Sequence, residues 1–201
     1  MKRTAIVDYG LGNLRSVSRG LEKAGATPLI TTQPDEIAAA DGIVLPGVGA
    51  FHEGMEQLGP LKESVLAAAG SVPLLGICLG MQMLMEESEE HGLHKGLGLI
   101  PGRVRKFPRA PGMKIPHMGW NSIFLEQPDC PLFAGCAAEE YVYFVHSYYA
   151  DAAPENTLTS TSYICSFASS IGKDMTYGVQ FHPEKSGDPG LRILKNFIDM
   201  I

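Results

Sequence analysis

The hydrophobic pattern changes rhythm near Gly92. Before it, short apolar runs alternate with stretches of helical spacing. Residues 4–7 form an apolar run that ends in Asp8-Tyr9-Gly10. Asn13 can cap the helix that follows, because Leu14, Val17, Leu21 and Ala24 recur at three- and four-residue intervals and Gly25 stops the run. Strand candidates fall at residues 27–31, at 42–45 before Pro46-Gly47, and at 72–77; helices are predicted over 61–69 and 79–87. Such alternation predicts an α/β fold, a mostly parallel sheet with helices on both faces. After Gly92, strand candidates follow one another at 102–107, 121–125, 141–149, 158–163 and 175–180, so an antiparallel extension of the sheet is expected. A final helix closes the chain, with Asp188 as cap, Pro189 at its first position, and Leu191, Leu194, Ile198 and Ile201 facing inward.

Neither repeats nor an interdomain linker interrupt this pattern, and 201 residues suit a single domain spanning 1–201. The net charge of −6 argues against nucleic acid or an anionic membrane as partner, both of which call for clustered Lys and Arg. The densest basic stretch, Arg103, Arg105, Lys106 and Arg109, reads as a local strand or loop face or as part of an anion-binding patch. No apolar run approaches the ~20 residues of a membrane span, and the N-terminus reads as a strand rather than a signal peptide. The four cysteines, Cys78, Cys130, Cys136 and Cys165, fit no metal-binding spacing. A reducing cytoplasm with free thiols is expected, and one thiol can then be catalytic.

Cys78 is the candidate. Leu74-Leu75-Gly76-Ile77-Cys78-Leu79-Gly80-Met81-Gln82 reads as a buried strand, a Gly-x-Cys-x-Gly turn and a helix. With serine, this geometry is the nucleophile elbow, where flanking glycines remove side chains that would collide in a sharp strand-to-helix turn. The thiol then stands at the carboxyl edge of the sheet, where open α/β folds place ligands. A helix N-terminus there favours thiolate, and the Leu79 N–H is placed to donate to an oxyanion. The alternative for any cysteine is a small buried hydrophobe, and Cys130, Cys136 and Cys165 keep that reading.

Of the six histidines, His182 stands out. In Tyr177-Gly178-Val179-Gln180-Phe181-His182-Pro183-Glu184 a strand ends, Pro183 fixes a turn, and Glu184 can hold the imidazole tautomer. That is nucleophile–base–orienter logic with cysteine and glutamate in the end roles. Taken alone, the segment is equally a strand-end His-Pro turn beside a solvated glutamate.

The Gly-Ile-Cys-Leu-Gly-Met-Gln elbow and the later Gln-Phe-His-Pro-Glu together resemble the class I glutamine amidotransferases, across essentially the whole chain. The resemblance implies their flavodoxin-like fold, a Cys78–His182–Glu184 triad, glutamine as substrate, and neither metal nor organic cofactor. Three more segments, Asp8-Tyr9-Gly10-Leu11-Gly12-Asn13-Leu14, Leu45-Pro46-Gly47-Val48-Gly49-Ala50-Phe51 and Lys114-Ile115-Pro116-His117-Met118-Gly119-Trp120-Asn121, are similar to the glutaminase subunits of imidazole glycerol phosphate synthases in histidine biosynthesis. That likeness implies a heterodimer partner, a (β/α)8 cyclase, which makes imidazole glycerol phosphate and an aminoimidazole carboxamide ribonucleotide. A TIM barrel alone takes ~250 residues, so the synthase chemistry would lie on another chain.

Gly47-Val48-Gly49 reads as a flexible turn at a strand's carboxyl end, able to bring a second backbone N–H to the oxyanion; the family likeness implies that Gln82 contacts the substrate amide and that Glu90 meets its amino group. His146, Ser147 and Tyr148 would cradle its carboxylate. Each also has a plain reading, as a loop turn, a solvated helix residue or helix end, or ordinary strand residues. Asn13, Lys114, Trp120 and Asn121 are expected at the partner interface; Trp120 is otherwise core. Gly10-x-Gly12 is no dinucleotide fingerprint, because Arg15 takes the place of the third glycine. The rival readings are another class I amidotransferase subunit, a cysteine peptidase or γ-glutamyl hydrolase on a similar elbow, and a non-catalytic binding subunit with the same fold.

Overall fold

Alternation within the buried strands explains why both sheet faces carry helices. The computed structural model describes residues 2–201. In it β1 (Arg3–Val7), β3 (Gly42–Gly47) and β4 (Leu74–Cys78) are buried nearly throughout. Successive side chains point to opposite faces. Val7, Ile43, Leu45 and Leu74 therefore enter one core, and Ile6, Val44, Leu75 and Ile77 the other. On the second face, α1 (Leu14–Lys23) and α6 (Gly187–Met200) bring Val17, Leu21, Ile193, Leu194 and Phe197. On the first, α2 (Pro34–Ala38), α3 (Phe51–Leu58), α4 (Lys62–Ala69) and α5 (Leu79–Met83) bring Ile37, Phe51, Leu58, Val65 and Met81.

The change of rhythm in the sequence is the change of strand direction in the sheet. β2 (Thr27–Thr31), β1, β3, β4 and β13 (Thr176–Val179) lie side by side and parallel. Beyond β13 come β12 (Ser166–Lys173), β10 (Tyr148–Asp151) and β7 (Ile100–Lys106), each antiparallel to the last. β5 (Met85–Ser88) and β6 (His94–Lys95) finish that edge, and a branch of β11 (Thr157–Ser162), β8 (His117–Leu125) and β9 (Glu139–His146) leaves from β12.

Several elements differ from the sequence expectation. The helix expected to reach residue 87 ends at Met83, and Met85 opens a strand. The carbonyls of Met83, Leu84 and Met85 accept from the N–H groups of Leu97, Gly98, Leu99 and Ile100, so a distant segment takes the bonds that a longer helix would need. The single strand expected over 141–149 breaks at Ser147: β9 pairs with β8, whereas β10 pairs with β7 and β12. The last helix starts at Gly187 with Ser186 in the cap position, so Asp188 lies inside its first turn. Ser186 does not cap; its hydroxyl donates to the His182 carbonyl at 2.6 Å. β12 escaped the hydrophobic reading because Ser169 and Ser170 occupy buried positions, where Thr159 Oγ1 bonds both hydroxyls. Short α2 and α3 were also unpredicted.

Candidate active site

Steric necessity fixes the turn that carries Cys78. A Cβ on Gly80 would lie 1.8 Å from the Leu45 carbonyl oxygen, and one on Gly76 would lie 2.7 Å from the Met81 nitrogen. Only glycine fits at either place. Cys78 takes φ 55°, ψ −108°, outside the ordinary allowed regions, as a strand forced straight into a helix requires. Parallel pairing of β3 with β4 sets Gly47 beside Cys78. The sulfur lies 3.8 Å from the Val145 carbonyl and 3.7 Å from Gln180 Nε2.

His182 is held from three directions. Its N–H donates to the Tyr143 carbonyl at 2.9 Å, its own carbonyl accepts from Ser186, and its Nδ1 lies 2.9 Å from Glu184 Oε1. The Pro183–Lys185 turn brings that carboxylate back to the ring, and both side chains are almost fully buried. Because Nδ1–H serves Glu184, the proton-exchanging atom is Nε2, which is buried with no hydrogen-bond partner. Sγ stands outside hydrogen-bond geometry with Nε2 but within electrostatic reach of the ring. Burial by itself lowers the imidazole pKa; the interactions with Cys78 and Glu184 outweigh it and raise the value to about 9.

A cavity of about 380 Å³ opens in front of the thiol, within the range of small-molecule sites. Val48, Cys78, Leu79, Gln82, Glu90, His146, Ser147 and Tyr148 all line it, so most of the expected substrate-binding residues converge. Gly47 lies behind it, buried where a Cβ would strike the Tyr9 hydroxyl and Leu79. Gln82 is no solvated helix residue: Nε2 donates to the Tyr148 carbonyl at 3.1 Å and to Gln180 Oε1 at 2.9 Å. Glu90 is no helix end either. It follows β5 and accepts the Phe51 N–H at 2.7 Å, capping α3 where Ala50 offers no side-chain oxygen.

The residues expected at a partner interface lie outside the cavity lining. Asn13 and Lys114 are exposed, and the Asn13 side chain caps α1 by accepting from Ser16 at 3.4 Å. Trp120 is 48% exposed rather than core, and it stacks on Tyr141, itself exposed, at 6.1 Å. Met118 is also exposed, so β8 and β9 present an apolar patch. Asn121 is partly buried and bonds His117.

Gln180 and Tyr9 were given no role in the sequence. Gln180 is wholly buried and bridges Gln82 to the sulfur; its signal was a polar residue ending an apolar strand. Tyr9 donates to the Pro46 carbonyl at 2.6 Å, behind the Gly47 turn, and its pKa is raised by burial and then by the charge of Cys78. No sequence signal marks that pairing. Among the described residues, no helix is long and apolar enough to cross a membrane.

Known proteins share both the sequence and the architecture. The family described as "Glutamine amidotransferase class-I" matches residues 5–201. "Imidazole glycerol phosphate synthase subunit HisH" of Methanosarcina mazei is 57% identical, covering 100% of both chains. The protein of that name from Desulfitobacterium hafniense is 50% identical over 96% of this chain and 92% of its own. A Trypanosoma brucei CTPS glutaminase domain superposes with a TM-score of 0.71 at 16% identity, covering 100% of this chain and 93% of that one, which is a likeness of fold. The chain belongs to the class I glutamine amidotransferase family.

Proposed function

We infer that this chain is the glutaminase subunit of an imidazole glycerol phosphate synthase, hydrolysing glutamine and handing the ammonia to a cyclase. The observation that carries the chemistry is the elbow thiol of Cys78 between a small-molecule cavity and a buried His182–Glu184 pair. The full-length relatives carry the choice within the family.

In this reading the Cys78 thiolate attacks the side-chain amide carbon of glutamine. Backbone N–H groups at Leu79 and in the Gly47-Val48 turn stabilise the oxyanion, each worth ~3–4 kcal/mol. His182, charged up to about pH 9, protonates the departing ammonia. A γ-glutamyl thioester remains on Cys78, and water activated by the now neutral His182 releases glutamate. Gln82 and Glu90 take the amide and the amino group, and Ser147 and Tyr148 the carboxylate end, with His146 beside them in the cavity wall, both its ring nitrogens bonded within the protein. A cavity of about 380 Å³ suits a free amino acid.

The partner is a (β/α)8 cyclase docking on the face around Trp120, with Asn13, Lys114 and Asn121 in or beside the contact. Exposed aromatic and methionine side chains on β8 and β9 support that surface. The chain acts as one domain over 1–201, and its four free cysteines fit a cytoplasmic location. The test is steady-state ammonia release from glutamine by the chain alone, with the cyclase, and with cyclase plus its nucleotide ligand. Low activity alone and a rise with each addition are expected. Equal rates in all three would leave a free-standing glutaminase, and no ammonia in any would remove the reading.

A further inference from the structure

Two histidines outside the triad form a hydrogen-bonded chain into the glutamine cavity. Asn121 Nδ2 lies 3.2 Å from His117 Nε2, His117 Nδ1 lies 2.9 Å from His146 Nε2, and His146 Nδ1 lies 2.8 Å from the Tyr148 carbonyl oxygen. The direction of every bond follows from its ends. A carbonyl only accepts, so His146 carries its proton on Nδ1. Its bare Nε2 then accepts from His117 Nδ1–H, and the bare His117 Nε2 accepts from Asn121. The Asn121 amide is itself fixed: Oδ1 accepts the Ser122 N–H at 2.8 Å, and Nδ2 also donates to the Ser162 carbonyl at 3.1 Å. A proton added to either ring would turn two donors face to face. Burial lowers the pKa of both rings, to about 4 for His117 and about 3 for His146, where the charge of His182 adds to the effect.

The chain reaches the sulfur. The Tyr148 carbonyl accepts from Gln82 as well as from His146, Gln82 donates to Gln180, and Gln180 Nε2 points at Cys78 Sγ. Both Gln82 amide hydrogens are thereby used, leaving its Oε1 for a ligand in the cavity it lines. Ser147, where β9 gives way to β10, has no ladder partner in either strand; the ring of His146 bridges this break to the carbonyl two residues on.

We propose that His117 and His146 are positioning residues for glutamine: as a neutral, tautomerically ordered pair they fix the Tyr148 carbonyl, and through it the Gln82 amide and the Ser147–Tyr148 edge that receives the substrate. The proposal rests on the glutaminase reading. It is distinct from packing. His117 also stacks on Phe144 and Tyr163, with centroids at 4.7 and 4.1 Å, and a phenyl ring would preserve those stacks while losing both hydrogen bonds.

The experiment compares the wild-type chain with His117→Phe and His117→Asn, whose amide retains a donor at the Nδ1 position. Cys78 labelling by an electrophilic glutamine analogue is followed to saturation, with iodoacetamide alkylation as a measure of the thiol alone. His117→Phe should raise the half-saturating concentration about tenfold, the worth of the one lost bond that holds His146, and leave the maximal labelling rate and the iodoacetamide rate within about twofold. His117→Asn should recover most of the loss. Nitrogen-15 spectra of the wild-type histidines at pH 7 should show both rings neutral with the proton on Nδ1. Unchanged half-saturation in His117→Phe, or either ring charged or protonated on Nε2, would overturn the proposal. A wild-type chain that the analogue does not label saturably would instead overturn the glutaminase reading; the tautomer spectra judge the positioning pair independently of it and of how the variants fold.

Discussion

His182 and Glu184, two residues apart, meet at 2.9 Å from Nδ1 to Oε1, with both side chains almost fully withdrawn from water. The short turn at Pro183 makes the pair local, so its geometry needs little help from elsewhere in the fold. It fixes one tautomer and leaves Nε2 for proton transfer. His182→Ala should therefore lose nearly as much ammonia-release rate as Cys78→Ala, because nucleophile and base act as a unit. Glu184→Gln should lose less, since the amide still accepts from Nδ1–H but no longer balances the imidazolium. A Glu184→Gln rate far below that of His182→Ala would reverse the assigned roles.

The charge on His182 also links stability to pH. Its folded pKa of about 9 lies above the ordinary 6.5, so the charged ring stabilises the fold. That contribution is complete below about pH 6.5 and is lost as pH rises through about 9. Urea unfolding of the wild type and His182→Gln at pH 6 and pH 9.5 should show the difference between them shrinking by on the order of 2–3 kcal/mol at the higher pH. A difference that grows with pH would contradict the charged resting state.

A glutamine analogue carrying an electrophile should modify Cys78 alone. Burial raises the Cys130 thiol, and burial together with Glu140 raises Cys136 to about 11, so both stay protonated at neutral pH. None of Cys130, Cys136 and Cys165 lines the cavity. Peptide mapping after stoichiometric labelling checks this; label found mainly on those three would sink the assignment of the nucleophile.

The elbow glycine Gly80 should tolerate no side chain. The clash of a Cβ with the Leu45 carbonyl at 1.8 Å involves backbone on both sides, so neither can move away cheaply. Gly80→Ala should cost about 1–3 kcal/mol or more in urea unfolding and should slow Cys78 labelling by displacing the thiol. An alanine variant with wild-type stability and labelling would contradict the steric demand for glycine in this turn.

Trp120→Ala should weaken association with the cyclase, or the activation it brings, while leaving Cys78 labelling in the isolated chain unchanged. Typical coupling of ~1–3 kcal/mol corresponds to roughly 5–150-fold in activation. Titrating the cyclase against ammonia release separates a shift in affinity from a drop in the plateau. No change in either would move the interface away from Trp120.

The sequence alone determined the features whose causes are local. Glycines at 76 and 80, demanded by a turn of a few residues, announced the nucleophile; His182-Pro183-Glu184 contains base and orienter within one turn; the unbroken apolar runs of β1, β3 and β4, alternating with helical stretches, announced a sheet covered on both faces. Tertiary structure decided whatever depends on partners far along the chain. Gln82 takes its bonds from residues 66 and 98 positions away, and His117 meets His146 across 29 residues only because β8 and β9 pair in that register. The same is true of the short α5, whose terminal carbonyls are claimed by residues 97–100, of the strand break at Ser147, and of Glu90, which a distant helix end draws into the cavity wall. Periodicity reports which side of an element is apolar, but it carries no information about which distant hydrogen-bonding group arrives on the polar side.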